Sequence, residues 1–106
     1  MEFTDNLFKV IEKNEDKLII KLSDENHPVF KAHFPGFPIL PGFLLIEIIT
    51  KIKKEKLRKI KFAKFISHTL PNDIIIYNIT KENGKTKLKI VKGDEKKTKV
   101  AQITYE

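Results

Sequence analysis

Apolar and polar residues alternate along most of this chain, which is the pattern of β-strands that bury one face. The alternation predicts five or six strands, over residues 6–12, 15–22, 58–66, 73–81, 85–92 and 96–105. Turn-forming residues separate consecutive predicted strands at Lys13-Asn14, Glu82-Asn83-Gly84 and Gly93-Asp94. We therefore expect a hairpin from the first two strands and an antiparallel meander from the last three.

One stretch has the pattern of a helix instead. Residues 43–49 are apolar at every position except Glu47, and lysines follow from Lys51 onward. Pro41 suits the first turn of a helix, and lysines suit its negative end. The pattern predicts a helix over residues 42–54 whose first half is buried on every side. The predicted fold class is α+β, a single domain over residues 1–106 with one buried central helix wrapped by an antiparallel sheet.

The segment before this helix is rich in residues that break regular structure. Residues 27–42 hold four of the five prolines and two of the four glycines. Such a density of breakers predicts an irregular loop with no helix or strand of its own.

Composition narrows the functional classes. The formal net charge is +7, but Arg58 is the only arginine among 21 basic residues, and lysine lacks the forked guanidinium that reads bases and clamps phosphates. Solvated strand faces, or an acidic protein partner, explain the lysines better than a nucleic acid. The absence of cysteine excludes disulfides and thiolate chemistry. No apolar run is long enough to cross a membrane, and we expect a cytoplasmic protein with no membrane partner.

Two residues are candidates for acid–base chemistry. Glu47 lies among apolar helical positions, where a carboxylate is costly unless it is paired or neutral. His33, in the loop before the helix, is its natural partner, since histidine is the usual general base. His27 and His68 are expected to be surface or capping residues.

The same region resembles a known family. His33-Phe34-Pro35-Gly36, Pro38-Ile39 and Pro41-Gly42, followed by Glu47 fourteen residues after the histidine, are similar to the signature of the 3-hydroxyacyl-acyl-carrier-protein dehydratases of the hot-dog fold (the FabZ and FabA type). Leu70-Pro71-Asn72-Asp73 resembles the turn after the family's third strand, with asparagine in place of glycine. The resemblance covers nearly the whole chain as architecture, but only residues 26–49 as motif.

The resemblance implies a reaction and roles for three residues. The family removes water from a 3-hydroxyacyl thioester to give the trans-2-enoyl thioester, in fatty-acid or related lipid and polyene biosynthesis. His33 would take the proton from C2, and Glu47 would protonate the departing hydroxyl. The N–H of Gly42 would bind the thioester oxygen. The resemblance implies no metal and no cofactor.

The resemblance also implies partners. A homodimer is the expected minimum, because the family's histidine works with the acid of the other subunit; a trimer of dimers is left open. The expected substrate carrier is an acidic acyl carrier protein, and Lys31, Lys51, Lys53 and Lys54 are the first candidates for docking it. Lys51 stands where the family has glutamine, which puts substrate fit in question. The first strand begins so early that the N-terminal helix of the fully biosynthetic relatives is expected to be missing.

Two other functions remain open at this point. An acyl thioesterase also uses an acid on the hot-dog helix, but it does not need the His-Phe-Pro-Gly loop. A non-catalytic module that binds acyl chains or the carrier protein has no reason to keep both His33 and Glu47. The acyl chain length, the pathway and the acceptance of coenzyme A esters are not readable from the sequence.

Overall fold

The structure is a computed structural model, which describes residues 4–33 and 36–106, with only the main chain of His33. Its elements, in chain order, are β1 (Phe8–Lys13), β2 (Lys17–Leu22), α1 (Pro28–His33), α2 (Phe43–Lys53), β3 (Ile60–Phe65), β4 (Ile74–Glu82), β5 (Lys85–Lys92) and β6 (Lys99–Tyr105). The predicted strands and the central helix are all present; β5 has the predicted bounds, and the ends of the other elements differ by at most three residues.

The six strands form one sheet in the order β1-β2-β4-β5-β6-β3, and every neighbouring pair is antiparallel. The β1–β2 hairpin and the β4–β5–β6 meander are as predicted. β3 returns across the sheet to pair with β6, so that β1 and β3 are the two edges.

Turn residues hold the backbone conformations that their chemistry favours. Asn83 and Gly84 both have positive φ, 51° and 76°, as a two-residue hairpin turn requires. Asn14 caps the first hairpin, because its side-chain oxygen accepts the N–H groups of Asp16 and Lys17 at 3.0 and 2.9 Å. Asn72 has a φ of 66°, which explains why asparagine can stand where the family has glycine.

The core lies between α2 and one face of the sheet. Alternate residues of β2, β4, β5 and β6 are buried on that face, and the intervening residues, many of them lysines, face away. The Tyr77 hydroxyl, buried in β4, donates a hydrogen bond of 2.7 Å to the Leu45 carbonyl and so ties α2 to the middle of the sheet. Among the described residues, no helix is long and apolar enough to span a membrane.

The predicted burial of α2 on every side is wrong for this chain. Leu44, Leu45, Ile46, Ile48, Ile49 and Thr50 are buried, but Phe43 is 49% exposed and Glu47 is exposed as well. The sheet covers only one side of the helix. Positions 43, 47, 51 and 54 follow the helical repeat along the other side and leave a stripe open to solvent.

The prediction that residues 27–42 form no regular element is also wrong. Residues Pro28–His33 form the short helix α1. Pro28 occupies the first helical position, where its missing N–H costs nothing, and the side chains of Val29 and Phe30 are 3% and 1% exposed. The proline therefore starts a helix here, and tertiary burial of its apolar side stabilises one that is too short to form alone.

Candidate active site

The start of α2 places Gly42 at the N-terminus of the central helix. Gly42 is the N-cap residue, and its carbonyl accepts the N–H of Leu45 at 3.0 Å. Within residues 4–33 and 36–106, the N–H of Gly42 has no hydrogen-bond acceptor. It is a free donor at the positive end of the helix dipole, as the predicted thioester contact requires.

A side chain at this position would collide with Phe65. A Cβ built on Gly42 lies 2.7 Å from two atoms of the Phe65 ring, at the end of β3. The structure thus gives a packing reason for glycine at this position that the sequence did not indicate. Approach of substrate to Gly42 stays a prediction.

The loop that leads into α2 is anchored to the segment after β3. Leu40 is 3% exposed, and its N–H donates to the Thr69 carbonyl at 2.9 Å in an isolated antiparallel bridge. Gly36 has a φ of 79°, which glycine adopts without strain. The bridge therefore ties the loop to the segment after β3 two residues before Gly42.

Glu47 lies one helical turn after Phe43, on the open stripe of α2. Its carboxylate is exposed, and none of the described residues pairs with it. This corrects the expectation of a buried acid: the neighbouring residues in sequence are buried, but the helical rotation directs Glu47 away from the sheet. The carboxylate is within reach of whatever covers this stripe.

The predicted pairing of His33 with Glu47 falls partly outside the described residues. The main chain of His33 ends α1, while its side chain and residues 34 and 35 lie outside what the structure describes. The contact between the His33 side chain and Glu47 of the other subunit stays a prediction.

The other two histidines are a capping residue and a surface residue, as predicted. His27 is buried and caps α1, its Nδ1 accepting the N–H of Val29 at 3.0 Å. His68 is exposed and contacts the ring of Phe37 edge-on, with centroids 6.4 Å apart. The sequence offered one signal for the cap, the position of His27 directly before a proline that can start a helix.

A second carboxylate lies at the other end of α2. Glu55 Oε1 accepts a 2.8 Å hydrogen bond from the Tyr105 hydroxyl, and its Oε2 lies 3.0 Å from Lys81 Nζ. Burial raises the pKa of the Glu55 carboxyl, but the hydrogen bonds from Tyr105 and Lys81 and the nearby lysine charges outweigh it, so that the pKa lies below its ordinary value of 4.5. Glu55 therefore joins the end of α2 to β4 and β6 as a charged group.

This lowered pKa predicts acid sensitivity. The stabilisation from Glu55 is complete above 4.5 and is lost as the pH falls through the folded-state pKa, because the unfolded chain binds the proton more readily. Urea unfolding between about pH 5 and pH 3 should show a smaller loss of unfolding free energy for Glu55→Gln than for the wild type. The matched control is Glu95→Gln, an exposed carboxylate in the turn before β6. An identical pH dependence for wild type and Glu55→Gln would contradict the assignment.

An apolar margin runs from the start of α2 along β3. Every residue of β3 is exposed, although the strand holds an isoleucine and two phenylalanines. The margin comprises Phe43, Ile60, Phe62, Phe65 and Ile66, which are 44% to 51% exposed. The Phe65 ring over Gly42 makes the margin continuous with the start of α2.

Comparison with known proteins assigns the family. The model of a family described as ApeI-like, ApeI dehydratase, matches residues 10–103. The chain belongs to the ApeI-like dehydratase family. The matched range spans the positions of His33, Gly42 and Glu47 in this ApeI-like chain.

Curated relatives of the ApeI-like chain are 3-hydroxyacyl-[acyl-carrier-protein] dehydratases. The FabZ protein of Thermotoga neapolitana is 36% identical over 86 residues, which cover 68% of this chain and 61% of the relative. The FabZ protein of Streptococcus mutans is 30% identical over 82 residues. The chain spans about three-fifths of the length of these relatives.

Solved structures confirm the hot-dog fold. The dehydratase heterocomplex ApeI:P from Xenorhabdus doucetiae matches with a TM-score of 0.71 at 17% identity, covering 93% of this chain and 96% of that chain. Thioesterase superfamily member 2 from Mus musculus matches with a TM-score of 0.61 at 13% identity, covering 93% of this chain and 79% of that chain. At these identities the likeness concerns the fold of the ApeI-like chain alone.

Proposed function

We propose that the chain is a dehydratase that converts a 3-hydroxyacyl thioester into the trans-2-enoyl thioester and water. The observation that carries the proposal is the dehydratase family match over residues 10–103, which includes the spacing of His33, Gly42 and Glu47. The free N–H of Gly42 and the accessible carboxylate of Glu47 support the two roles that those residues need.

The reaction divides into two proton transfers. His33 takes the proton from C2, and the electron pair of the C2–H bond forms the new double bond to C3. The C3–O bond breaks, and neutral Glu47 gives its proton to the departing hydroxyl, which leaves as water. The Gly42 N–H stabilises the negative charge that grows on the thioester oxygen as the proton leaves. Return of the proton from His33 to Glu47 completes the cycle.

We propose that the active form is a homodimer joined through β3. An edge strand with exposed apolar side chains is a liability for a monomer, and a second copy can pair with it and cover it. The stripe with Phe43 and Glu47 lies beside this edge, because Phe65 of β3 covers the start of α2. Pairing would enclose Glu47 between the two copies, which is the apolar setting that a proton-donating carboxyl needs.

The proposed substrate is carried by an acidic acyl carrier protein, as the names of the FabZ relatives state for those proteins. The formal charge of +7 supports electrostatic steering of an acidic partner. Three of the four proposed docking lysines, Lys51, Lys53 and Lys54, lie in or directly after α2, one to two turns beyond Glu47. A lipid or polyene pathway and a cytoplasmic location remain predictions.

The test is turnover of a defined substrate. The protein is incubated with 3-hydroxyacyl carrier-protein thioesters of several chain lengths, and in parallel with the trans-2-enoyl thioesters, and the acyl chain is followed by mass spectrometry. We expect loss of one water in the first reaction and its addition in the second. Release of free acid would instead identify a thioesterase. Absence of turnover on all chain lengths, as carrier-protein and coenzyme A esters, would refute the enzyme and leave a binding module.

A further inference from the structure

The imidazole of His27 uses both of its nitrogens in directed hydrogen bonds. Its Nδ1 lies 3.0 Å from the N–H of Val29, and its Nε2 lies 2.6 Å from the main-chain carbonyl of Asp5. A carbonyl oxygen only accepts, and the Val29 N–H only donates. The ring is therefore neutral, with its proton on Nε2, and it joins the start of α1 to the segment that precedes β1.

That segment is also held to α2. We define residues 4–7 as the strap: Thr4 and Leu7 are 6% and 0% exposed. Lys51, one helical turn after Glu47, donates a 3.0 Å hydrogen bond to Thr4 Oγ1 and lies 3.7 Å from Asp5 Oδ1. Through the strap, the ring of His27 is thus linked to the helix that carries Gly42 and Glu47.

The helix that His27 caps is held by burial of Val29 and Phe30 and by this cap. α1 has six residues and no acidic residue in its first turn. Helices this short do not form alone, so a single cap has a large share in fixing one. His33 is the last residue of α1, so the position of this helix sets the position of the His33 main chain.

We infer that His27 is a positioning residue for the proposed catalytic base, which fixes α1 and thereby His33 relative to α2 by bridging the N–H of Val29 and the carbonyl of Asp5. The inference rests on the proposed function. A displacement of about 1 Å at a reacting group costs on the order of 10²-fold in rate, so loss of this bridge acts mainly on kcat. Substrate binding by the rest of the fold, and hence KM, changes little.

Three substitutions separate the two bonds of the ring. His27→Asn keeps an acceptor close to the position of Nδ1, so it caps α1 but does not reach Asp5. His27→Gln extends past that position toward Asp5 and loses the cap, and His27→Leu loses both bonds. Each of the three breaks the bridge between α1 and the strap, so we expect each to lower kcat by about tenfold to 10²-fold, with KM within about threefold of wild type. The control is His68→Leu, in an exposed loop, which should leave both constants unchanged.

Hydrogen exchange provides a readout that does not depend on turnover. Exchange of the Phe30 and Lys31 amides, which donate to the His27 carbonyl, should quicken in His27→Gln and His27→Leu but not in His27→Asn. Thr4→Val removes the acceptor of the Lys51 bond but keeps the lysine charge and the cap of α1, so it should lower kcat and leave these amides unchanged. It serves as the second variant if His27→Leu does not fold.

The inference and the proposed function fail in different ways. A wild-type protein without dehydratase turnover would refute the function, while the amide exchange would still report on the bridge. Equal kcat in folded His27→Gln and wild type, or equal amide exchange in these two proteins, would overturn the positioning role. Wild-type kcat in His27→Asn would overturn it also, since that variant keeps the cap and loses only the bond to Asp5.

Discussion

Glu47→Gln is expected to lower kcat for dehydration by about 10³-fold, with little change in the free energy of unfolding. General acids contribute about 10²- to 10⁴-fold to rates, and glutamine keeps the shape of the side chain while it loses the proton that the leaving hydroxyl needs. Because Glu47 is exposed in the single chain, the substitution should change stability by less than about 0.5 kcal/mol. Steady-state kinetics and urea unfolding of the same sample measure the two effects.

Glu55→Gln is the matched control for this experiment. Both carboxylates belong to the α2 region, but Glu55 is tied to Tyr105 and Lys81 at the opposite end of the helix. We expect Glu55→Gln to lose stability and keep kcat, the reverse of Glu47→Gln. His33→Ala should match the loss of Glu47→Gln. An active Glu47→Gln enzyme would show that another group protonates the leaving hydroxyl.

Phe62→Glu is expected to separate the proposed dimer and to abolish most activity. Phe62 is 51% exposed on β3 and pairs with Thr104, on the sheet face opposite α2. In a two-fold interface the same strand is present twice, so the substitution places two carboxylates on one short stretch of paired strands. The dissociation constant should rise by about 10²-fold or more, equivalent to about 3 kcal/mol. Sedimentation velocity across a concentration series measures it.

The opposite edge of the same sheet provides the control. Ile11 in β1 is 55% exposed, much like Phe62, and Ile11→Glu introduces the same charge on an edge strand. We expect Ile11→Glu to remain dimeric and active. A dimer that survives Phe62→Glu but not Ile11→Glu would move the interface to β1, and a fully active Phe62→Glu monomer would refute an active site shared between subunits.

Local chemistry explains why much of the fold was predictable. Asn83-Gly84 and Asn14 form turns because of their own backbone and side-chain preferences, whatever the rest of the chain does. Strand alternation and the apolar run of α2 likewise depend on near neighbours in sequence. The strand pairing of the meander follows from those turns, whereas the pairing of β3 with β6 is a long-range contact that no turn specifies.

Two predictions from the sequence were wrong because they concerned burial, which depends on distant parts of the chain. Proline content predicted an irregular segment, but burial of Val29 and Phe30 and the cap from His27 make residues Pro28–His33 helical. Apolar neighbours predicted a buried Glu47, but burial is set by the direction in which α2 faces the sheet, which the hydrogen bond of Tyr77 to Leu45 helps to fix.

By itself, the sequence determined the strands, the central helix, the dehydratase family and the identity of the three proposed site residues. These depend on motif spacing and on local conformational preference, which are set by residues close together in sequence. Only the tertiary structure decided that Phe65 requires glycine at position 42, that Glu47 lies on an open stripe, and that the strap joins α1 to α2 through His27 and Lys51. Each of these depends on contacts between residues more than twenty positions apart, whose geometry exists only once the sheet has closed over the helix.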